Sequence, residues 1–133
     1  MTHTRIHTGA PLEPRYGYCR AVRAGNHVFV AGTVALTPDR QPHAPGNHGA
    51  QAARALEIIE GALSQAGAQM SDVVRTRIFV VGMTPEAQDA IGEAHRAAFA
   101  DFPPATSMIG VAAFVDPAFV VEIEADAVIA SGA

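Results

Sequence analysis

Tryptophan is absent from this 133-residue chain, and cysteine occurs once, at Cys19. A single thiol excludes an internal disulfide and suits a reducing compartment. No activating partner accompanies Cys19 in the sequence, which predicts a quiet thiol rather than a nucleophile. No apolar run approaches the ~20 residues of a membrane-spanning helix. The N-terminus has no basic segment followed by an apolar block, so a cytoplasmic protein with no membrane partner is expected. Basic side chains are few: Lys and Arg total 9 against 13 Asp and Glu, a formal charge of −4. Arg15, Arg20 and Arg23 form the densest basic cluster, too short for the broad basic surface that general nucleic-acid binding uses. No glycine-rich loop follows a strand to cradle phosphate, and no Cys/His spacing marks a metal site. His3 and His7 stand four apart, but nothing around them supports the helix that would align them. No metal and no organic cofactor is expected.

Apolar residues make up 49% of the chain, enough for a core. The length fits one domain over residues 1–133. The stretch Phe102–Ala127 is the most informative. Phe102-Pro103-Pro104-Ala105 suits neither a helix nor a central strand. An apolar run to Phe114 follows, Asp116-Pro117 breaks it, and Phe119–Ala127 then alternates with a period of two. Two strands joined by a tight connection are predicted. The second sets Val121, Ile123, Ala125 and Ala127 on one face, and Glu122, Glu124 and Asp126 on the other. Three carboxylates in a row need water or cations to offset their repulsion.

Earlier in the chain, Arg5-Ile6-His7 suits a short edge strand within an otherwise irregular start. Tyr16–Arg23 and His27–Thr33 flank Ala24-Gly25-Asn26 and predict a hairpin. Tyr18, Arg20 and Val22 then share a face, and Gly32 ends the second strand where the backbone turns or admits a close approach. Residues 34–49, rich in Pro and Gly, read as a mobile loop carrying His43 and His48 at the surface. Asn47 caps a helix over Gly49–Ala66, with Gly67 as its stop. Val73–Val81 is a strand with Arg75, Arg77 and Phe79 on one face; its arginines either pair with the carboxylate row or lie solvated. Thr84-Pro85-Glu86 starts a second helix, with His95 beside its apolar stripe. The order is strand, strand, helix, strand, helix, strand, strand. That order implies an α+β layer, one mixed sheet with two helices on one face. Ile109, Val111, Val121 and Ile123 predict an apolar component on the uncovered face, and hence self-association.

Several segments carry a resemblance. Tyr18-Cys19-Arg20-Ala21-Val22-Arg23-Ala24-Gly25-Asn26-His27-Val28-Phe29-Val30-Ala31-Gly32 resembles the N-terminal hairpin of the Rid family, also called YjgF or endoribonuclease L-PSP. Pro104-Ala105 and Val121-Glu122-Ile123-Glu124-Ala125 resemble its C-terminal signature, and the likeness spans residues 15–129. The resemblance implies a chorismate-mutase-like fold, a homotrimer around a central barrel, and small-molecule clefts between subunits. It implies cofactor-independent hydrolysis of imines or enamines to ketoacids and ammonia. Carried over, the family's pocket tyrosine falls on Tyr18 and its water-positioning glutamate on Glu122. Its carboxylate-gripping arginine falls on Thr106, which has no charge and makes no bidentate contact. Gly92, Met108 and Gly110 also depart from the active deaminases, so the chain is similar to the arginine-lacking subgroups. Glu122 is therefore the expected catalytic carboxylate. Tyr18, Arg20, Gly32, Thr106 and Ser107 are the expected substrate-binding set. Two readings stay open: an enzyme acting on a small imine-like compound, or a homotrimer that binds or chaperones without turnover. RNA cleavage, which one family name suggests, lacks a basic stripe and a placed histidine pair here.

Overall fold

The computed structural model describes residues 2–130. The elements are β1 (Thr4–Ile6), α1 (Leu12–Tyr16), β2 (Ala21–Ala24), β3 (His27–Val34), α2 (His48–Gln65), a 3-10 turn (Met70–Asp72), β4 (Val73–Val80), α3 (Pro85–Phe99), β5 (Ala105–Gly110) and β6 (Val121–Val128). The strands form one six-stranded sheet in the order β1-β2-β3-β6-β4-β5. Only β4 and β5 run parallel, so the sheet is mixed, as expected. The two long helices cover one face.

Each long helix starts where the sequence says it should. The Asn47 side chain accepts from the Ala50 amide, and the Thr84 hydroxyl accepts from the Ala87 amide. Each cap satisfies an amide that the helix cannot, worth about 1 kcal/mol. Ala52, Leu56, Ile59 and Leu63 of α2 are buried, as are Ile91 and Phe99 of α3. They meet Val121, Ile123, Ala125 and Ala127 of β6, and Thr76, Ile78 and Val80 of β4. Burying each large aliphatic side chain contributes roughly 1.5–3 kcal/mol.

Four expectations are corrected. First, β5 and β6 are not a tight hairpin. β5 stops at Gly110, and β6 inserts between β3 and β4. The fully buried Gln51 secures the connection, donating to Ala118 O at 2.8 Å and accepting from Val120 N at 2.9 Å. Second, Val121 and Ile123 face the helices. Of the apolar residues expected on the uncovered face, Ile109 is 41% exposed. Third, Tyr16 ends α1, and β2 begins only at Ala21, so Tyr18 and Arg20 lie on the segment leading into the strand. The left-handed turn at Gly17 stops α1 there. Fourth, residues 34–49 are tied down. Leu36 bridges to Pro42, Arg54 donates to Leu36 O at 2.7 Å, and His48 opens α2 and donates to Val81 O at 2.7 Å.

Candidate functional site

Strand β6 is built to separate charge from core. Its alternation buries Val121, Ile123, Ala125 and Ala127 and leaves Glu122, Glu124 and Asp126 half-buried on the uncovered face. Strand β4 lies beside it with Arg77 opposite Glu124. Arg77 Nη1 reaches Glu124 Oε1 at 3.3 Å and Asp126 Oδ2 at 3.2 Å. One guanidinium therefore serves two of the three acids, and the arginine row pairs with the carboxylate row at that point.

Glu122 is different. Among the described residues no hydrogen bond and no ion pair reaches its carboxylate. It lies opposite Phe79 of β4 and Val34 of β3, both apolar. Burial pushes its carboxyl above the ordinary value of 4.5; Arg20 pulls it back, and Glu124 adds to the rise. The β3 register shifts between Val30 and Thr33, and Gly32 lies in that irregularity. A β-carbon at position 32 would stand 2.9 Å from Glu122 Cδ and 3.1 Å from each carboxylate oxygen. Glycine is what lets the Glu122 carboxylate lie flat against the β3 backbone. The expected close approach at Gly32 is present, although the strand continues past it to Val34.

Arg20 completes this half of the site. Its Nη2 donates to the Gly32 carbonyl at 2.5 Å, while its Nε is buried without a partner. Burial lowers the guanidinium's affinity for its proton, and Tyr18, Glu13, Glu122 and Cys19 all lie close enough to oppose that. Tyr18 is 40% exposed and shares a hollow of about 490 Å³ with Glu13 and Cys19. Glu13 went unrecognised in the sequence. It is buried, and its carboxylate accepts from the Thr8 amide and hydroxyl and lies 3.1 Å from His7 Nδ1. A lone acid in a short helix after Pro11 carries no pattern that announces burial.

Thr106 and Ser107 do not join this group within one chain. They sit on β5, beyond β4, at the edge of the sheet. Parallel pairing sets Thr106 beside Thr76, toward the helices, and Ser107 beside Arg77, on the uncovered face. Thr106 Oγ1 lies 2.8 Å from Thr76 Oγ1 and 3.4 Å from His95 Nε2. His95 is packed and hydrogen-bonded, as its position beside the apolar stripe suggests. The site residues thus fall on two sides of β4: Tyr18, Arg20, Gly32 and Glu122 on one, and on the other Thr106 and Ser107, which point to opposite faces of β5.

A family model described as Endoribonuclease L-PSP matches residues 8–129. An uncharacterized protein from Streptomyces coelicolor is 32% identical over 123 residues, 92% of this chain and 90% of that one. A 2-iminobutanoate/2-iminopropanoate deaminase from Dermatophagoides farinae is 31% identical over 109 residues, 80% of this chain and 82% of that one. The crystal structure of Rv2704 from Mycobacterium tuberculosis, a member of the YjgF/YER057c/UK114 family, is similar with a TM-score of 0.83 and 43% identity. That similarity covers 96% of this chain and 100% of the other.

Proposed function

Because the chain belongs to the endoribonuclease L-PSP family, also called Rid or YjgF, we propose that it hydrolyses a small imine or enamine without a cofactor, with Glu122 as the general base. The observation that carries this reading is the state of Glu122. Among the described residues it alone of the β6 acids has no hydrogen-bond or ion-pair partner, it is half-buried, and burial raises its carboxyl toward values where a carboxylate accepts protons readily. Water attacks the C=N carbon as Glu122 takes a proton from it. The nitrogen takes up a proton to give the carbinolamine; on collapse the hydroxyl gives up its proton, the nitrogen takes a second, and ketone and ammonia leave. Tyr18 and Ser107 are the hydroxyls assigned to binding and proton donation. The relative named as a deaminase supports the reaction class.

The cleft is assigned to the contact between two copies of a homotrimer, with Glu122, Arg20, Gly32 and Tyr18 from one copy and Thr106 and Ser107 from the next. Two half-sites on opposite sides of β4 in one chain favour that arrangement. Arg20 is the cation left in the cleft, and Thr106 offers none, so simple 2-imino acids are poor substrates in this reading. The test is hydrolysis of freshly generated imines, read as ketone and ammonia, in wild type and Glu122→Gln. Loss of a general base costs roughly 100-fold or more. Turnover that survives Glu122→Gln removes this mechanism. Saturable binding with no product supports the non-catalytic, small-molecule-binding or chaperone-like homotrimer instead.

A further inference from the structure

Three polar atoms meet on the helix side of β4 and β5. Thr76 Oγ1, on a fully buried residue, lies 2.9 Å from His95 Nε2 and 2.8 Å from Thr106 Oγ1. Thr106 itself is exposed, and its Oγ1 also lies 3.3 Å from the Pro104 carbonyl. The hydroxyl is thus held from behind and open in front. The imidazole is held too: its ring packs on Phe99 with centroids 4.7 Å apart. Burial keeps its pKa below the ordinary 6.5, so it is neutral at neutral pH. Among the described residues no guanidinium, ammonium or carboxylate contacts the three atoms.

The hydrogen inventory decides what such a group can recognise. Each threonine has one proton to give, and neutral imidazole Nε2 has either a proton or a lone pair. With the proton on Nε2, His95 donates to Thr76, Thr76 donates to Thr106, and the Thr106 O–H is left for the Pro104 carbonyl or for a ligand acceptor. With the lone pair on Nε2, every donation reverses, and Thr106 presents only its oxygen. The tautomer thus decides whether Thr106 can give its proton to a ligand, in competition with the Pro104 carbonyl, or presents only its oxygen, with no net charge in either state. A carboxylate placed against these three atoms finds no cation among them, and Arg20 of the facing half-site is turned to the Gly32 carbonyl, whereas a neutral carbonyl or amide is satisfied by a hydrogen bond alone.

We propose that Thr106 recognises an uncharged carbonyl or amide group of the ligand, and that Thr76 and His95 are positioning residues that set the direction of its hydroxyl. This rests on the reading above in one respect: Thr106 shares a cleft with Glu122.

The probe is a pair of near-isosteric ketones, pyruvate and its amide, titrated into the wild-type protein by calorimetry. One neutral hydrogen bond gained against one uncompensated charge predicts that the amide binds about tenfold tighter. Thr106→Val, at an exposed position, should keep the fold and abolish the preference. Thr76→Val should weaken the preference, and the ring-nitrogen NMR signals of His95 should move when the amide binds. A purely structural His95 would not respond to ligand charge. Equal or tighter binding of pyruvate overturns the proposal. So does an unchanged preference in Thr106→Val, or no binding of either ketone up to tens of millimolar. The two readings fail separately. Hydrolysis indifferent to Glu122→Gln removes the base but leaves the binding preference standing. Hydrolysis that needs Glu122 but favours the charged substrate removes the present proposal alone.

Discussion

Glu122, Glu124 and Asp126 follow one another on the same strand face, yet their surroundings give them different chemistry. Arg77 lies between Glu124 and Asp126, whereas Glu122 meets Phe79, Val34 and the Gly32 backbone. Among the described residues, Arg20 is the cation that opposes the rise in its pKa. A base must be ionised, so activity falls as pH drops through the Glu122 pKa, which burial sets above 4.5. Arg20 opposes that rise, so Arg20→Gln should move the acid limb of kcat/KM to higher pH. Comparing the pH profiles of wild type and variant checks this; an unmoved limb would mean that Arg20 does not act on Glu122. The period-two pattern of β6 was enough to show which residues share a face. It could not show which acid lacks a partner. That depends on a register shift in β3 and on Arg20 reaching the Gly32 carbonyl, contacts between residues far apart in the chain.

At the scale of elements, caps and apolar stripes are local signals, and the starts of both long helices were legible to within a residue, while α3 stops at Phe99, short of the prolines at 103 and 104. Strand order is not local. A break at Asp116-Pro117 looks like a hairpin turn, but β6 passes β5 and β4 to lie between β4 and β3. What draws it there is a face buried on β6, β4 and β3 alike, under α2 and α3. The consequence is an ordering of mutational costs along β6 and its neighbour. Ile123 is fully buried at the centre, and its truncation to alanine should cost about 2–5 kcal/mol. Arg77 and its acids are each about one-third exposed, and salt screens them, so Arg77→Ala should cost no more than about 1 kcal/mol. Urea unfolding of the two variants measures both. An Arg77 cost equal to that of Ile123 would mean that the ion pairs, not the helix-side core, hold β6 in place.

For the whole molecule, the decisive feature is the asymmetry of the sheet. One face is closed by α2 and α3. The other combines the β6 acids with exposed Phe29 and Ile109, and it ends at β5, whose outer edge has no strand beside it among the described residues. Apolar side chains next to an open edge favour association between chains. The sequence indicated that a face would be left uncovered, but it assigned Val121 and Ile123 to that face, because alternation alone does not say which side the helices take. The proposed cleft adds a functional reason for association: neither half-site contains both a base and the Thr106 hydroxyl. Sedimentation equilibrium should therefore give three times the mass of one chain. Ile109→Asp introduces a charge on the uncovered face of the edge strand without touching the helix-side core. It should lower the mass to that of a single chain, keep the circular dichroism of the folded sheet and helices, and abolish turnover. A wild-type mass of one chain would leave Thr106 and Glu122 in separate surroundings and remove the shared cleft. An Ile109→Asp protein that stays assembled and active would instead place the contact away from β5.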